Sequence, residues 1–329
     1  MFPIRRILVA IKDPWARSLP AVEKATQLAG ALGARLQLFH ALSSPLYIDV
    51  AQFQGTTLSK LEHAEFARAA GRLQVLANRF GKAGVRVESK VEWDFPPHEA
   101  VIRAAHGFDA DLIVAERHAT RHHLAWALRF TDFELLRLAP MPVLLVKTPN
   151  AYDHPSILAA VDPTHAYSKP LKLDREILNC ATRLTHALRG SLHAVFAYEP
   201  LPVAALNAEL PLAGATDEIA AETKARARKQ LAHVLNGATI PETRRHLVPQ
   251  HPIDAIRRTA ADVGSSIVVM GAISRSGLKR LVLGNTAERV LDELPCDVLV
   301  VKPRRFASRV PRARRGPQLM TLPVVQPVM

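Results

Sequence analysis

Short apolar runs alternate along this chain with longer segments in which apolar residues recur every three or four positions. Continuous apolar runs are typical of strands that are covered on both faces of a parallel sheet. The segment 57–80 has the three-and-four spacing of a long amphipathic helix. Alternating strands and helices indicate a doubly wound α/β architecture. The runs that predict strands in the first half are IRRILVAI, RLQLFHA, VRVESKVE, DLIVAE and PVLLVK.

The same pattern occurs twice. ATQLAGALGARLQLFHA from Ala25 matches ATRLTHALRGSLHAVFA from Ala181, and PMPVLLVK from Pro140 matches PCDVLVVK from Pro295. A repeat of this length indicates a duplicated domain. The chain is therefore predicted to hold two tandem flavodoxin-like doubly wound domains, each a five-stranded parallel sheet flanked by helices. We place them at residues 1–149 and 150–303, followed by a tail at 304–329.

The strongest chemical motif is GAISRSGLKRLVLGNTAERV, which begins at Gly271 directly after the apolar run SSIVVM. Glycines at the carboxyl end of a strand let backbone N–H groups approach an anion closely. Asn285 and Glu288 have the spacing of a helix N-cap and its capping-box partner. A helix N-terminus favours a phosphate, although the cap alone also has a purely structural explanation.

With this motif and the duplication, the chain resembles the tandem universal stress proteins, and among them the E-type members, over about residues 4–303. The nucleotide pattern of that family is Gly, two residues, Gly, nine residues, Gly, then Ser or Thr. Ser274 replaces the second glycine here, and Asn285 stands at the Ser or Thr place. The resemblance implies that ATP lays its triphosphate on one loop, in which Gly277 adds flexibility. The implied phosphate-binding residues are Gly271, Ser274, Gly284, Asn285 and Thr286.

Two further positions follow from the resemblance. The acidic residue that ends the first strand and faces the nucleoside matches Asp162, and the residue that packs on adenine matches Ala197. Mg²⁺ is expected to accompany ATP if ATP binds. The family also implies that the fifth strands pair, so that the two halves pack as a pseudo-dimer, with homo-oligomers through the sheet edges as a further option.

The first half lacks this loop chemistry. Shifting the motif back by the repeat places Glu116 at the Gly271 position, Arg129 at the Gly284 position and Lys12 at the aspartate position. A carboxylate repels phosphate, and a large arginine fills space that the backbone should leave open. The first half is therefore expected to be a structural or regulatory partner without nucleotide.

Catalytic and metal sites are not predicted. The chain has no Walker-type Gly-Lys-Ser/Thr step, and no Ser-His-Asp or Cys-His set can be assigned by spacing. His118, His122 and His123 match no common metal site, and His165 is expected to be a solvated loop residue. Cys180 and Cys296 are expected to be reduced thiols in a cytoplasmic protein.

The function expected from the resemblance is a nucleotide-binding stress-response regulator or scaffold without efficient catalysis. Weak ATP hydrolysis stays open. The alternative is a nucleotide-independent scaffold that holds another small or apolar ligand.

Charge is concentrated at the end of the chain. The net charge is +13, and residues 302–315 contain seven Lys or Arg and no Asp or Glu. Such a tail is predicted not to pack, and it offers weak nonspecific contact with nucleic acid or an anionic surface. No apolar run reaches the ~20 residues of a transmembrane helix.

Overall fold

The computed structural model forms two compact units. One unit comprises Tyr152–Phe306, and the other comprises Phe2–Ala151 together with Ala307–Met329. We call them the C-terminal unit and the N-terminal unit. In the part of the chain described here, no helix is both long and apolar enough to cross a membrane. The structure describes residues 4–42, 46–48, 55–117, 125–164, 173–200, 215–272, 291, 293–303, 306–316 and 319–321.

The N-terminal unit alternates strands and helices as the apolar pattern predicts. Its helices are α1 (Pro20–Leu32), α2 (Gly55–Gly81), α3 (Pro97–Gly107) and α4 (Ala125–Leu138). Its strands are β1 (Arg6–Ala10), β2 (Arg35–Leu42), β3 (Leu46–Ile48), β4 (Val87–Trp93), β5 (Leu112–Glu116) and β6 (Val143–Val146).

The C-terminal unit repeats this arrangement. Its helices are α5 (Leu173–Ala187), α6 (Ala215–Val234) and α7 (Pro252–Asp262), with a short 3₁₀ turn at Glu242–Arg244. Its strands are β7 (Ser156–Ala160), β8 (Ser191–Ala197), β9 (Arg245–Val248), β10 (Ser265–Gly271) and β11 (Asp297–Val301). The strand β12 (Leu319–Thr321) follows in the tail.

Local sequence fixes several helix ends. Proline occupies the first turn of α1, α3 and α7, where its missing N–H removes no intrahelical hydrogen bond. After α1 the chain leaves the helix at Gly33, whose φ of 64° lies in the left-handed region that glycine adopts without strain. These signals begin and end the crossover helices close to the sheet.

All pairings in the main sheet of each unit are parallel. The order is β4-β2-β1-β5-β6 in the N-terminal unit and β9-β8-β7-β10-β11 in the C-terminal unit. The predicted tandem doubly wound α/β fold is thus confirmed. Counted along each unit, the strand order is 3-2-1-4-5, which differs from the 2-1-3-4-5 order of flavodoxin. The pseudo-dimer stays a prediction.

The central strands supply the core of each unit. Ile7, Leu8 and Val9 of β1 are fully buried, as are Ile157 and Leu158 of β7. Helices cover both faces of these strands, so neither face needs polar residues. This burial explains why the sequence shows continuous apolar runs there instead of alternation.

The tail departs from the prediction that it does not pack. Residues 306–316 are described, and the tail from Ala307 onward belongs to the N-terminal unit. There Arg314 and Arg315 bind carboxylates, and β12 pairs in parallel with β3. Ion pairs with buried partners hold this segment in place of an apolar core of its own.

A buried tyrosine–carboxylate pair ties the start of the C-terminal unit to its last main-sheet strand. The Tyr152 hydroxyl donates a hydrogen bond to Asp297 Oδ2 over 2.6 Å, and both residues are buried. Burial is the largest cause that raises the pKa of Tyr152 well above its ordinary value, followed by the negative charge of Asp297. The tyrosine therefore stays a hydrogen-bond donor at high pH.

We expect Tyr152→Phe to lower the free energy of unfolding by about 1–3 kcal/mol at neutral pH, because Asp297 loses a buried donor. The pH dependence should change as well. Unfolded tyrosine releases its proton near pH ~10, whereas folded Tyr152 keeps it, so the wild-type protein loses stability as the pH rises through this range. The free energy of unfolding of Tyr152→Phe should not show this fall with rising pH.

Urea unfolding between about pH 8 and 11 measures both effects. Tyr198→Phe, at a half-buried tyrosine of the same unit, is the control. Identical pH profiles for wild type and Tyr152→Phe would contradict this account.

Candidate functional site

The carboxyl edge of the C-terminal sheet gathers the sequence-predicted residues that the structure describes. β7 and β10 lie side by side, although β10 is the fourth main-sheet strand of the unit along the chain. In such sheets the crossover helices leave on opposite faces at this point, which opens a crevice at the carboxyl edge. Asp162 follows β7, Gly271 ends β10, and Ala197 ends the neighbouring strand β8.

A tight turn holds Asp162. Its Oδ1 accepts hydrogen bonds from the Thr164 backbone N–H at 3.2 Å and from the Thr164 hydroxyl at 2.6 Å. Its own backbone N–H donates to Oδ1 of Asp174 at 3.0 Å. Asp174 is buried in the first turn of α5. The turn therefore fixes the half-buried Asp162 carboxyl group at the edge of the crevice.

Gly271 is closely packed by the helix beside it. A Cβ atom on Gly271 would lie 2.7 Å from Leu173 Cδ2 and 3.2 Å from Ile177 Cδ1. Both side chains belong to α5 and are fully buried. The sequence suggested one reason for this glycine, namely that a bound phosphate needs backbone without a side chain. The structure shows a second reason, since α5 leaves no room for a side chain.

Ala197 lies where the β8–β9 ladder ends. It is half-buried, and the next residue, Tyr198, donates its backbone N–H to the carbonyl of Val248 over 2.9 Å. Alanine places only a methyl group at this strand end. Five predicted site residues lie outside the described residues: Ser274, Gly277, Gly284, Asn285 and Thr286.

Lys302 is a residue of this edge that the sequence analysis missed. It directly follows β11, is 5% exposed, and carries its ammonium group 4.1 Å from the centre of the Phe306 ring. Burial lowers the pKa of Lys302 to about 7. The signal in the sequence was a lysine directly after an apolar strand, but its burial depends on what packs around it.

Side chains fill the described part of the corresponding edge in the N-terminal unit. Lys12 occupies the aspartate position, and its Nζ lies 2.6 Å from Oδ1 of the buried Asp132 of α4. Glu116 takes the place of Gly271 at the end of β5. The cavity that Lys12 and Glu116 line measures about 10 Å³. A space of that size holds at most one water molecule.

Histidines form no metal centre in the part of the chain that can be inspected. Within those residues, no group of three or more His, Cys, Asp or Glu side chains is placed to hold an ion. His193 of β8 and His246 of β9 stack with Nδ1 and Nε2 3.1 Å apart. Burial lowers the pKa of both. His118, His122, His123 and His165 lie outside the described residues.

Both cysteines are free thiols. Burial raises the pKa of Cys180 to about 11, because it disfavours the thiolate. A thiol of that kind is a poor nucleophile at neutral pH.

Comparison with known proteins decides the family. The model of the universal stress protein family matches residues 3–147 and again residues 156–302. The chain belongs to the universal stress protein family. It is a tandem member, as the internal repeat predicted, and its two matches fall on the two doubly wound sheets.

Similar proteins cover most of this tandem universal stress protein. Universal stress protein E of Escherichia coli (strain K12) is 30% identical over 321 residues, covering 92% of this chain and 96% of the relative. Universal stress protein E of Photorhabdus laumondii is 28% identical over 318 residues, covering 93% and 98%. A crystal structure of a functionally unknown protein from Pseudomonas aeruginosa PAO1 has a TM-score of 0.69 at 25% identity, covering 92% and 93%.

We expect Gly271→Ala to lower the free energy of unfolding by about 1–3 kcal/mol, because the new methyl group overpacks a buried contact. Shortening the helix side chain in the double variant Gly271→Ala/Leu173→Ala should recover part of the Gly271→Ala penalty relative to Leu173→Ala alone. Urea unfolding measures both.

Gly30→Ala is the matched control. A Cβ atom at Gly30 would meet Val85 Cγ2 at an ordinary 3.7 Å, and alanine is favoured over glycine inside a helix. If Gly271→Ala proved as stable as wild type, the packing of α5 would not explain this glycine.

The lowered pKa of Lys302 predicts a second effect. Unfolded lysine holds its proton to higher pH than folded Lys302, so the free energy of unfolding gains a contribution as pH rises from about 7 toward 10. This slope is at most about 1.4 kcal/mol per pH unit. Lys302→Met should remove this rise in the free energy of unfolding.

Lys147→Met provides the comparison, because Lys147 is the duplicate position in the N-terminal unit and is half-buried. Urea unfolding across this pH range should show the lost slope in Lys302→Met. An unchanged slope in Lys302→Met would show that Lys302 titrates as an ordinary lysine.

Proposed function

We propose that this universal stress protein binds ATP or a related nucleotide in its C-terminal unit. In this proposal it acts as a cytoplasmic stress-response regulator or scaffold without efficient catalysis. The observation that carries the proposal is that Asp162 follows β7 and Gly271 ends β10, the two neighbouring strands that border the crevice. A carboxylate next to a bare strand end suits a ligand with a hydroxylated nucleoside and an anionic tail.

Each part of the nucleotide has a proposed partner. Asp162, oriented by Thr164, accepts hydrogen bonds from the nucleoside. Ala197 lets adenine lie against the end of β8. The backbone at Gly271 begins a phosphate-binding loop that continues through Ser274, Gly277, Gly284, Asn285 and Thr286. Mg²⁺ comes with ATP and offsets its negative charge.

Efficient turnover needs a carboxylate or another base that positions water against the γ-phosphate. Asp162 is the acidic residue that the family resemblance assigns to the nucleoside, and Thr164 already donates two hydrogen bonds to one of its oxygens. Asp162 is therefore better suited to hold a nucleoside than to activate water. Weak hydrolysis is compatible with this binding mode.

The described side chains at the N-terminal edge support the proposal of a single nucleotide site per chain. At the position where a nucleoside would need a carboxylate acceptor, the N-terminal unit has Lys12. Its ammonium group forms an ion pair with Asp132. A cavity of about 10 Å³ is far below the volume of a nucleotide.

One observation favours a second candidate function. Packing against Leu173 and Ile177 explains Gly271 without any ligand. If that is its whole role, the protein is a nucleotide-independent scaffold whose C-terminal unit holds another small or apolar molecule. Native mass spectrometry of the full chain, purified without added ligand, would then retain a bound mass that ATP does not displace.

Isothermal titration of the full chain with ATP, with and without Mg²⁺, tests the main proposal. We expect Gly284→Arg, which copies the residue of the first half, to weaken ATP binding by about tenfold or more, since it fills the phosphate-binding loop. Asp162→Asn should weaken binding by a smaller factor, because the amide oxygen keeps part of the acceptor function.

The matched control is Arg129→Gly, the reverse exchange in the N-terminal unit, which should leave ATP affinity unchanged. Equal affinity in wild type and Gly284→Arg would rule out the proposed site. Loss of affinity in Arg129→Gly would instead assign the nucleotide to the N-terminal unit.

A further inference from the structure

Three buried carboxylates lie together at one corner of the N-terminal unit. Glu92 is the last residue but one of β4, Asp94 directly follows that strand, and Glu99 lies in the first turn of α3. Their exposed fractions are 4%, 0% and 8%. We call this group the acidic corner. Burying three negative charges is costly unless cations and hydrogen bonds accompany them.

The N-terminal half supplies part of that compensation. Arg103 of α3 binds Asp94 Oδ2 through Nε at 2.7 Å and Glu99 Oε2 through Nη1 at 3.0 Å. Lys90 Nζ lies 2.7 Å from Glu92 Oε1. Among the described residues of that half, Arg103 and Lys90 are the cations paired with the three carboxylates, which leaves an excess of negative charge.

The tail supplies the remaining cations. Arg315 binds Glu99 with two parallel hydrogen bonds, Nε to Oε2 and Nη2 to Oε1, each 2.9 Å long. Arg314 Nη2 donates to Glu92 Oε1 over 2.7 Å. The paired fork of Arg315 on a carboxylate is among the strongest and most directional ion pairs in proteins.

Main-chain contacts fix the tail segment as well as its charges. The backbone N–H of Arg315 donates to Asp94 Oδ1 over 2.9 Å, and the carbonyl of Pro311 accepts from Arg103 Nη1 over 3.3 Å. Such contacts require a particular path of the chain across the corner. Diffuse attraction between a basic tail and an acidic surface does not require one.

The titration of Glu99 agrees with this geometry. Burial acts to raise the pKa of Glu99, but hydrogen bonds from Arg103 and Arg315 outweigh burial and hold the pKa below its usual value. Glu99 therefore stays ionised and keeps its attraction for the tail.

A second anchor follows a few residues later. β12 pairs in parallel with β3, with Leu319 opposite Leu46 and Thr321 opposite Ile48. Both anchors lie by the carboxyl ends of β2 and β4, where the Asp94 N–H donates to the Leu42 carbonyl over 3.2 Å. The tail thus crosses the same edge at which doubly wound sheets bind ligands.

We propose that the acidic corner is a binding site for a peptide with two adjacent arginines, and that residues 311–315 of the same chain occupy it. The site recognises one main-chain N–H, one main-chain carbonyl and two guanidinium groups. It does not depend on nucleotide binding in the C-terminal unit. Arg314 and Arg315 are consequently engaged by protein carboxylates, not held free for nucleic acid or an anionic surface.

Hydrogen–deuterium exchange on the full chain tests the proposal, read on peptides that cover 92–103 and 311–316. Arg315→Ala should speed amide exchange in 311–316 by about tenfold or more, because a charge-assisted, bidentate contact is lost. The exchange rate of this segment in Arg315→Lys should lie between those of wild type and Arg315→Ala, since lysine keeps the charge but cannot make the bidentate contact. Arg312→Ala, at an exposed neighbouring arginine, is the matched control and should match wild type.

Addition of a separate peptide tests whether the corner accepts a ligand in trans. A synthetic peptide of residues 306–321, added to the full-length Arg315→Ala chain, should slow exchange in 92–103, and salt should weaken the effect. The same peptide carrying Arg314→Ala and Arg315→Ala should have no effect.

Three results would overturn the proposal. Exchange of segment 311–316 in the wild type as fast as in an unstructured chain would show that the tail is not docked. Equal rates in Arg315→Ala and Arg312→Ala would show that the arginine pair is not recognised. Failure of the unmodified peptide to protect 92–103 would show that the corner is not a separable peptide site.

Discussion

The order in which the parallel strands are connected determines where this molecule can place a ligand. In each unit the chain winds outward from its first strand, returns to the other side of that strand, and winds outward again. In sheets of this order the crossovers after the first and fourth strands leave in opposite directions, which opens a gap at the carboxyl edge between these strands. Asp162 and Gly271 in one unit, and Lys12 and Glu116 in the other, stand at this gap because the topology puts them there.

The duplicated units use the same gap in different ways. In the C-terminal unit a turn holds Asp162, and a strand without a side chain at Gly271 packs under α5. In the N-terminal unit Lys12 reaches Asp132, so the charge of the lysine is satisfied within the protein. The strand order is the same in both copies, whereas the described side chains at the carboxyl edge differ.

The repeat and the main-sheet strands could be predicted from the sequence because buried parallel strands leave continuous apolar runs such as ILVA in β1. The packing reason for Gly271 could not, because it depends on α5, whose contact with β10 exists only in the folded unit. The burial of Lys302 was hidden for the same reason. β3 and β12 were missed because strands of three residues carry no periodicity. The tail was expected to be solvated because its charge is visible in the sequence, whereas the burial of its partners Glu92, Asp94 and Glu99 is not.

The docking of the tail also has a consequence for the order of events during synthesis. The N-terminal unit leaves the ribosome first, yet Arg314 and Arg315 are made only after the whole C-terminal unit. Until then the buried carboxylates at the end of β4 lack two of their cations, and β3 lacks its partner strand. The half that emerges first is therefore completed only after the C-terminal unit has been made.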